Sequence, residues 1–156
     1  MRFEVSSNEK LILLLLKYAG GRIEGRVRLM KLVFLTLKEC PEAARRFGVS
    51  FNFRPYLHGP FSMEVLKALD SLQAKGLIRV DTRVFDEIWF RYEYELTGRG
   101  FKAVEDWDDE CIKSLVERYG KKELRELLRY VYRTYPREST PTLSDILREL
   151  EQPIIS

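Results

Sequence analysis

FNFRPYLHGPFSMEV, Phe51 to Val65, is the stretch on which the reading of the fold turns. Phe51, Phe53, Tyr56 and Phe61 share one connection with Pro55, Pro60, Arg54 and His58, the single histidine of the chain. Phe51, Phe53 and Arg54-Pro55 read as extended chain, because the residue before a proline is pushed out of the helical region. Pro55 and Gly59-Pro60 then restrict and turn the backbone. Ser62 stands where a helix N-cap would, with Phe61 and Leu66 in the two positions of a hydrophobic staple. The stretch therefore reads as a rigid elbow that sets a helix in place. Tyr56, His58, Gly59, Pro60, Phe61 and Ser62 form its structural motif, and Phe51, Phe53 and Tyr56 are the wedge that holds it against a core.

The helix launched by the elbow buries Val65, Leu66, Leu69 and Leu72 and stops at Gly76. After it, Leu77 to Arg83 and Ile88 to Thr97 alternate with period two, so they predict a hairpin with its tip at Val84-Phe85-Asp86-Glu87. Phe90, Tyr92, Tyr94 and Leu96 fall on one face of the returning strand, and Trp89, Arg91, Glu93 and Glu95 on the other. Thr97 can cap a helix carrying Phe101, Val104 and Trp107.

Upstream, Ser6-Ser7-Asn8-Glu9 is a capping-box pattern for a helix that ends at Gly20-Gly21. Apolar positions nearly encircle that helix, which marks it as central. Arg22-Ile23-Glu24-Gly25 is a connector or one brief strand. A second helix covers Arg26 to Glu39, with Leu29, Leu32, Val33, Thr36 and Leu37 on its buried face and Arg28, Lys31 and Lys38 off it. Pro41 ends it or starts a short turn through Arg46, closed by Gly48. Past the hairpin, Asp108 to Tyr119 and Lys121 to Tyr135 read as helices broken at Gly120. Pro136 ends the second of these, and Leu143 to Leu150 form a last short helix. The order helix, helix, helix, hairpin, helix is the winged helix-turn-helix plan. The expectation is an α+β, mainly α fold: a winged helix-turn-helix domain over 1–107, and a helical extension over 108–156 that packs on the domain or on a second subunit.

Composition bounds the function classes. The chain has 156 residues, a net charge of +3 with basic and acidic residues interspersed, and the hydrophobic share of a folded domain. That charge permits nucleic-acid binding through a local patch without arguing for it. Leu11 to Leu16 is far shorter than the roughly 20 apolar residues of a membrane span. Glu4 and Glu9 before it make a poor signal peptide, so a cytoplasmic protein with no membrane partner is expected. Cys40 and Cys111 stand apart from each other and from any ligand cluster, so no zinc site is expected; a disulfide can form between them but is not expected in a reducing compartment. Scarce Asn and Gln beside abundant Glu, Lys and Arg hint at a heat-adapted source.

The chemistry of the sequence points away from an enzyme. His58 lies between Leu57 and Gly59 with no Ser or Cys nucleophile beside it, which fits a structural histidine better than a catalyst. Gly20-Gly21 and Gly25 lack the spacing and the Lys-Ser/Thr of a phosphate-binding loop. Asp106, Asp108, Asp109 and Glu110 cluster at a helix start, where acids favour the dipole. No cofactor and no metal are expected.

For a duplex, the candidate contacts are Arg22, Arg26, Arg28 and Lys31 around the start of the second helix. Lys67, Ser71 and Lys75 on the third helix join them, with Arg79, Arg83 and Arg91 on the hairpin. Glu64 and Asp70 leave the third helix near neutral, and Asp81, Asp86 and Glu87 dilute the hairpin. A third reading is a protein-binding module: Leu124, Leu127, Leu128, Val131 and Tyr135 line one side of the 121–135 helix, with Tyr130 and Tyr132 adding aromatic surface.

At Gly21-Arg22-Ile23-Glu24-Gly25-Arg26, with Leu29 and Lys31-Leu32 following, the chain resembles the YwgA-type family of bacteria and archaea. So does Phe51-Asn52-Phe53-Arg54-Pro55-Tyr56 leading into Gly59-Pro60-Phe61-Ser62 and Glu64-Val65. In that family a G-x-I-E-G-R segment opens the second helix, and an F-x-F strand leads to Y-G-P-[YF]-S before the third. His58 departs from the pattern, which commonly has an aromatic before Gly-Pro, and the likeness thins out after Gly100. The same element is more distantly similar to Panacea, or SocA-like, antitoxin domains. The first resemblance implies a winged-helix protein without an established activity; the second implies toxin neutralisation or adaptor work through protein contacts. Neither implies catalytic residues. The expectation is a homodimeric, non-enzymatic winged-helix regulator bound to double-stranded DNA, with an antitoxin-like or adaptor protein as the alternative.

Overall fold

The computed structural model describes residues 4–56, 58–85 and 89–141. Asp86 and Glu87 of the expected hairpin tip, and the expected helix Leu143 to Leu150, lie outside the described residues. The fold is α+β and mainly helical, with two small antiparallel sheets.

Helix α1 (Ser7–Tyr18) starts on the capping box: Ser6 Oγ accepts from the Glu9 amide at 3.2 Å, and Glu9 Oε1 accepts from the Ser6 amide at 3.0 Å. Every side chain from Leu11 to Leu16 is fully buried, because other elements surround the helix. Each contributes about 1.5–3 kcal/mol of burial relative to an exposed state. Strand β1 (Arg22–Glu24) follows, and then α2 (Arg26–Glu39). Pro41 opens α3 (Pro41–Phe47), which ends on Gly48 in the left-handed region at φ 71°.

The elbow is more regular than expected. Arg54–Tyr56 (β2) and Gly59–Phe61 (β3) pair as an antiparallel hairpin, with Arg54 opposite Phe61 and Tyr56 opposite Gly59. Gly59 sits at φ +93°, a conformation L side chains rarely adopt. The hairpin delivers α4 (Met63–Ala74), with Ser62 at the N-cap. Its hydroxyl does not cap, however; it points to Glu64 Oε1 at 3.3 Å, while the Ser62 amide points to the Met30 sulfur.

Strands β4 (Ile78–Phe85) and β5 (Trp89–Leu96) form the second hairpin, and β1 pairs with β5, giving the order β1-β5-β4. Ile23 lies opposite Tyr94 and Val80 opposite Tyr94 from the other side, so Tyr94 is buried at the centre of the sheet. Thr97 caps α5 (Gly98–Val104) by accepting from the Gly100 amide at 3.1 Å. Gly100 is required by packing, since a Cβ there would stand 2.1 Å from the Leu77 carbonyl oxygen. Helices α6 (Glu110–Tyr119), α7 (Leu124–Thr134) and α8 (Pro136–Ser139) complete the described chain. Pro136 thus begins α8 as well as following α7.

One expectation is overturned, that the two cysteines stand apart, and two features of the packing are made specific. Residues 40–62, with α3 and the β2–β3 hairpin, separate α2 from α4, so these helices are not joined by the three- or four-residue turn of a simple helix-turn-helix. Cys40 and Cys111, separated by 71 positions, are joined in a disulfide with Cα atoms 5.9 Å apart. Sequence distance hid this pair, because α6 folds back on the end of α2. Helices α6 and α7 also pack on this same chain, against α1 and α2. Ile112, Leu115, Val116, Leu127 and Val131 join the central core cluster.

Candidate nucleic-acid interface and the pocket behind it

The basic residues expected to meet phosphate are mostly committed to partners within the chain. Arg22 bonds Glu93 at 2.5 Å and Glu24 at 3.4 Å; Arg91 reaches Glu24 at 3.2 Å and Glu93 at 3.4 Å; Arg83 lies 3.7 Å from Glu93. Arg79 pairs with Glu95 at 2.7 Å and Asp81 at 3.3 Å. The sheet surface therefore sets Arg22, Arg79, Arg83 and Arg91 against Glu24, Asp81, Glu93 and Glu95, and its charge cancels. Glu93 is the hub, only 7% exposed. Burial alone would push its carboxyl up, but the bonds from Arg22 and Arg91 hold it below the usual carboxylate range. Register explains the arrangement: Glu24 faces Glu93 across β1–β5, and the arginines of all three strands fan over that pair.

Around α2 the expected cluster disperses. Arg26 donates from Nε to the Tyr94 hydroxyl at 3.0 Å and lies 4.0 Å over the Tyr92 ring. Arg28 turns to the end of α6, donating to the carbonyls of Gly120 at 3.2 Å and Lys122 at 2.6 Å. Gly120 is the C-cap of α6, where a cation is favoured, and Lys122 lies in the loop that follows it. Lys31 is the clearest correction: it is 2% exposed, and its Nζ donates to the Pro60 carbonyl at 2.8 Å. The side of α2 that periodicity left to solvent is covered by the β2–β3 hairpin, so Lys31 cannot meet a phosphate on the surface. Lys75 is likewise spent, with Nζ 2.8 and 2.9 Å from the Glu9 carboxylate oxygens. Burial pushes the Glu9 carboxyl up, but Lys75 and Ser6 outweigh it and hold it low. Lys67 is exposed and Ser71 half-buried on the outer face of α4; among the described residues neither side chain is paired.

A different basic surface is free. Arg125, Arg129 and Arg133 recur every four residues along α7, all exposed and, among the described residues, none paired with a carboxylate. The spacing places them on one face, opposite the buried Leu127 and Val131. Attention to the apolar side of this helix hides the row, although its signal is plain in the sequence. Helix α7 is held firmly enough to present it. Tyr119 donates to Glu39 Oε1 at 2.9 Å, and Tyr130 and Tyr135 donate to Oε2 at 2.6 and 3.1 Å. Burial and the neighbouring carboxylate raise both of the latter phenols, Tyr135 to about 12.

The acids at the start of α6 are also structural. Asp109 caps the helix through Ile112 N at 2.9 Å and pairs with Arg46, while Asp108 pairs with Lys17. Among the described residues, no group of three His, Cys, Asp or Glu side chains is placed to hold a metal ion, and no helix is long and apolar enough to cross a membrane.

Beneath the elbow, between α2 and the β2–β3 hairpin, lies a small recess of about 20 Å³, room for little more than one water molecule, behind an open mouth. Lys31, Arg26, Met30, Tyr56, His58 and Phe61 line it. His58 stands exposed at this mouth. Tyr56 stacks on Phe61 at 4.6 Å between ring centroids.

No protein-family model matches the chain, and a search of curated proteins finds no match.

Proposed function

We propose that the chain is a non-enzymatic nucleic-acid-binding protein of winged-helix plan whose principal backbone contact is the arginine row of α7. The topology supports the plan: a short strand between the first two long helices, a helix leading into a hairpin, and the sheet order β1-β5-β4. The resemblance to the YwgA-type family at the two Gly-containing motifs points the same way. The observation that carries the binding surface is the free Arg125, Arg129 and Arg133 face, since duplex affinity rests on unpaired cations that can displace counterions. The sheet arginines, already paired with acids, add little.

The test is fluorescence anisotropy with random-sequence duplex DNA across a salt series. The expected result is binding at low salt that weakens log-linearly with salt. The triple variant Arg125→Glu/Arg129→Glu/Arg133→Glu loses binding, and neutralising the row with Gln lowers the slope by roughly 2–3. Binding without a salt slope, or unaffected by the triple variant, would remove the proposal.

A second reading, an adaptor working through protein contacts, is favoured by one observation. Val84 and Phe90 face each other across β4–β5 and are 65% and 54% exposed, an apolar pair that a partner could cover.

A further inference from the structure

We infer that the pocket between α2 and the β2–β3 hairpin is a binding site for a small carboxylate with an apolar body, gripped by Lys31 and Arg26. Three observations carry it. The first is charge: two cations line the pocket, and among the described residues its lining contains no Asp or Glu. The basic residues of the sheet and of the α4 end are instead matched by acids, at Glu93 and at Glu9. The second is the state of Lys31. It is a buried amine with three hydrogen-bonding positions, and the Pro60 carbonyl takes one of them. Burying an ammonium beside one carbonyl is costly, and an anion is the partner that relieves it. The third is shape. The recess itself admits little more than the carboxylate group, and Met30 and the stacked Tyr56 and Phe61 give its open mouth an apolar and aromatic rim for the remainder of a ligand.

Gly59 keeps the approach to the amine open. A Cβ there would lie 3.0 Å from Lys31 Cε and 3.6 Å from the Tyr132 ring. The site thus sits where the hairpin, α2 and α7 meet, and a ligand held by Lys31 would brace all three. This inference stands apart from the nucleic-acid reading, and its test measures a different ligand.

Proton linkage gives the site a signature. Desolvation pushes the Lys31 ammonium down to about 7 in the free protein. A bound carboxylate favours the charged amine, so binding takes up a proton and weakens as pH rises through that value. The groups facing Lys31 are Arg26 on its own helix, Tyr56 and His58 on the hairpin, and Tyr132 on α7.

The experiment is isothermal titration calorimetry of the whole chain with benzoate, and with benzamide as the neutral isostere. Benzoate is expected to bind one to one and benzamide at least about tenfold more weakly. Between pH 6 and 8 the benzoate affinity should fall about tenfold, with proton uptake visible in buffers of different ionisation enthalpy. The same pH series in His58→Gln should keep that fall, which assigns it to Lys31 and not to the imidazole at the mouth. Lys31→Met, checked for an intact fold by circular dichroism, should abolish binding, and Arg26→Gln should weaken it. Equal affinity for benzamide, unchanged affinity in folded Lys31→Met, or no benzoate binding at millimolar concentration each overturns the inference.

Discussion

Reduction of the Cys40–Cys111 disulfide should cost this protein a large share of its stability while leaving its native structure nearly unchanged. Cys40 lies at the α2–α3 junction and Cys111 in the first turn of α6, with a sequence separation of 71. In the chain-entropy account, a closure of that length removes about 4 kcal/mol of denatured-state freedom. Native domains carry only about 5–15 kcal/mol in total. For a chain of this size, about 4 kcal/mol corresponds to a melting shift of roughly 10–15 °C. The folded state should survive reduction because other contacts hold α6 at the same place. Arg46 pairs with Asp109, and the Tyr119 hydroxyl bonds Glu39. The assay is guanidinium unfolding of wild type with and without reductant, beside Cys111→Ser, which keeps the buried Cys40 side chain. The oxidised wild type should stand apart, and the other two samples should coincide. Equal midpoints for oxidised and reduced wild type would refute the reasoning, as would two titratable thiols in protein purified without reductant.

Two further perturbations follow from the elbow. The depressed Lys31 value means that the unfolded chain holds a proton that the folded chain releases above about 7, so this residue makes stability rise with pH from there toward its ordinary value of 10.5. Lys31→Met should be more stable than wild type at neutral pH and should lack roughly 2 kcal/mol of the gain between pH 7 and 9; parallel slopes in urea titrations of the two proteins would contradict this. Gly59→Val should lower the melting temperature more than His58→Ala, because position 59 needs a positive φ and has Lys31 Cε beside it, while His58 is exposed. The opposite order in thermal melts would mean that His58 holds structure.

Much of the element pattern was legible because its causes are local. The capping box at Ser6–Glu9, the glycine at the end of α3, Thr97 before α5 and the period-two alternation after Gly76 each act over a few residues. The β2–β3 hairpin is not legible in the sequence. Its strands are three residues each and centre on two paired prolines, Pro55 and Pro60, which ordinarily argue against a ladder. The disulfide and the return of α6 onto α2 were hidden for another reason: they depend on contacts between distant segments, and no periodicity reports those.

The charges mark the limit more sharply. A helical wheel sorts α2 into one buried and one exposed side, which is right only when a single neighbour covers the helix. Here every residue from Leu29 to Thr36 is buried, since α2 meets α1, α6 and α7 as well as the hairpin. Lys31 is consequently enclosed and Arg28 is drawn to the end of α6. The sheet arginines fare no better as a sequence signal. Arg22 and Arg83 lie on the two strands flanking β5, and only the register brings them to the Glu93 that Arg91 meets within β5. A basic residue counts toward a nucleic-acid surface only after its tertiary partners are subtracted. By that measure the row on α7, whose arginines have only Glu126 as a charged neighbour of opposite sign within the helix, outweighs the denser cluster between Arg22 and Lys31. It follows that charge reversal at Arg26 and Arg28 should disturb folding, through Tyr94 and the carbonyls of Gly120 and Lys122 just past α6, rather than remove a phosphate contact.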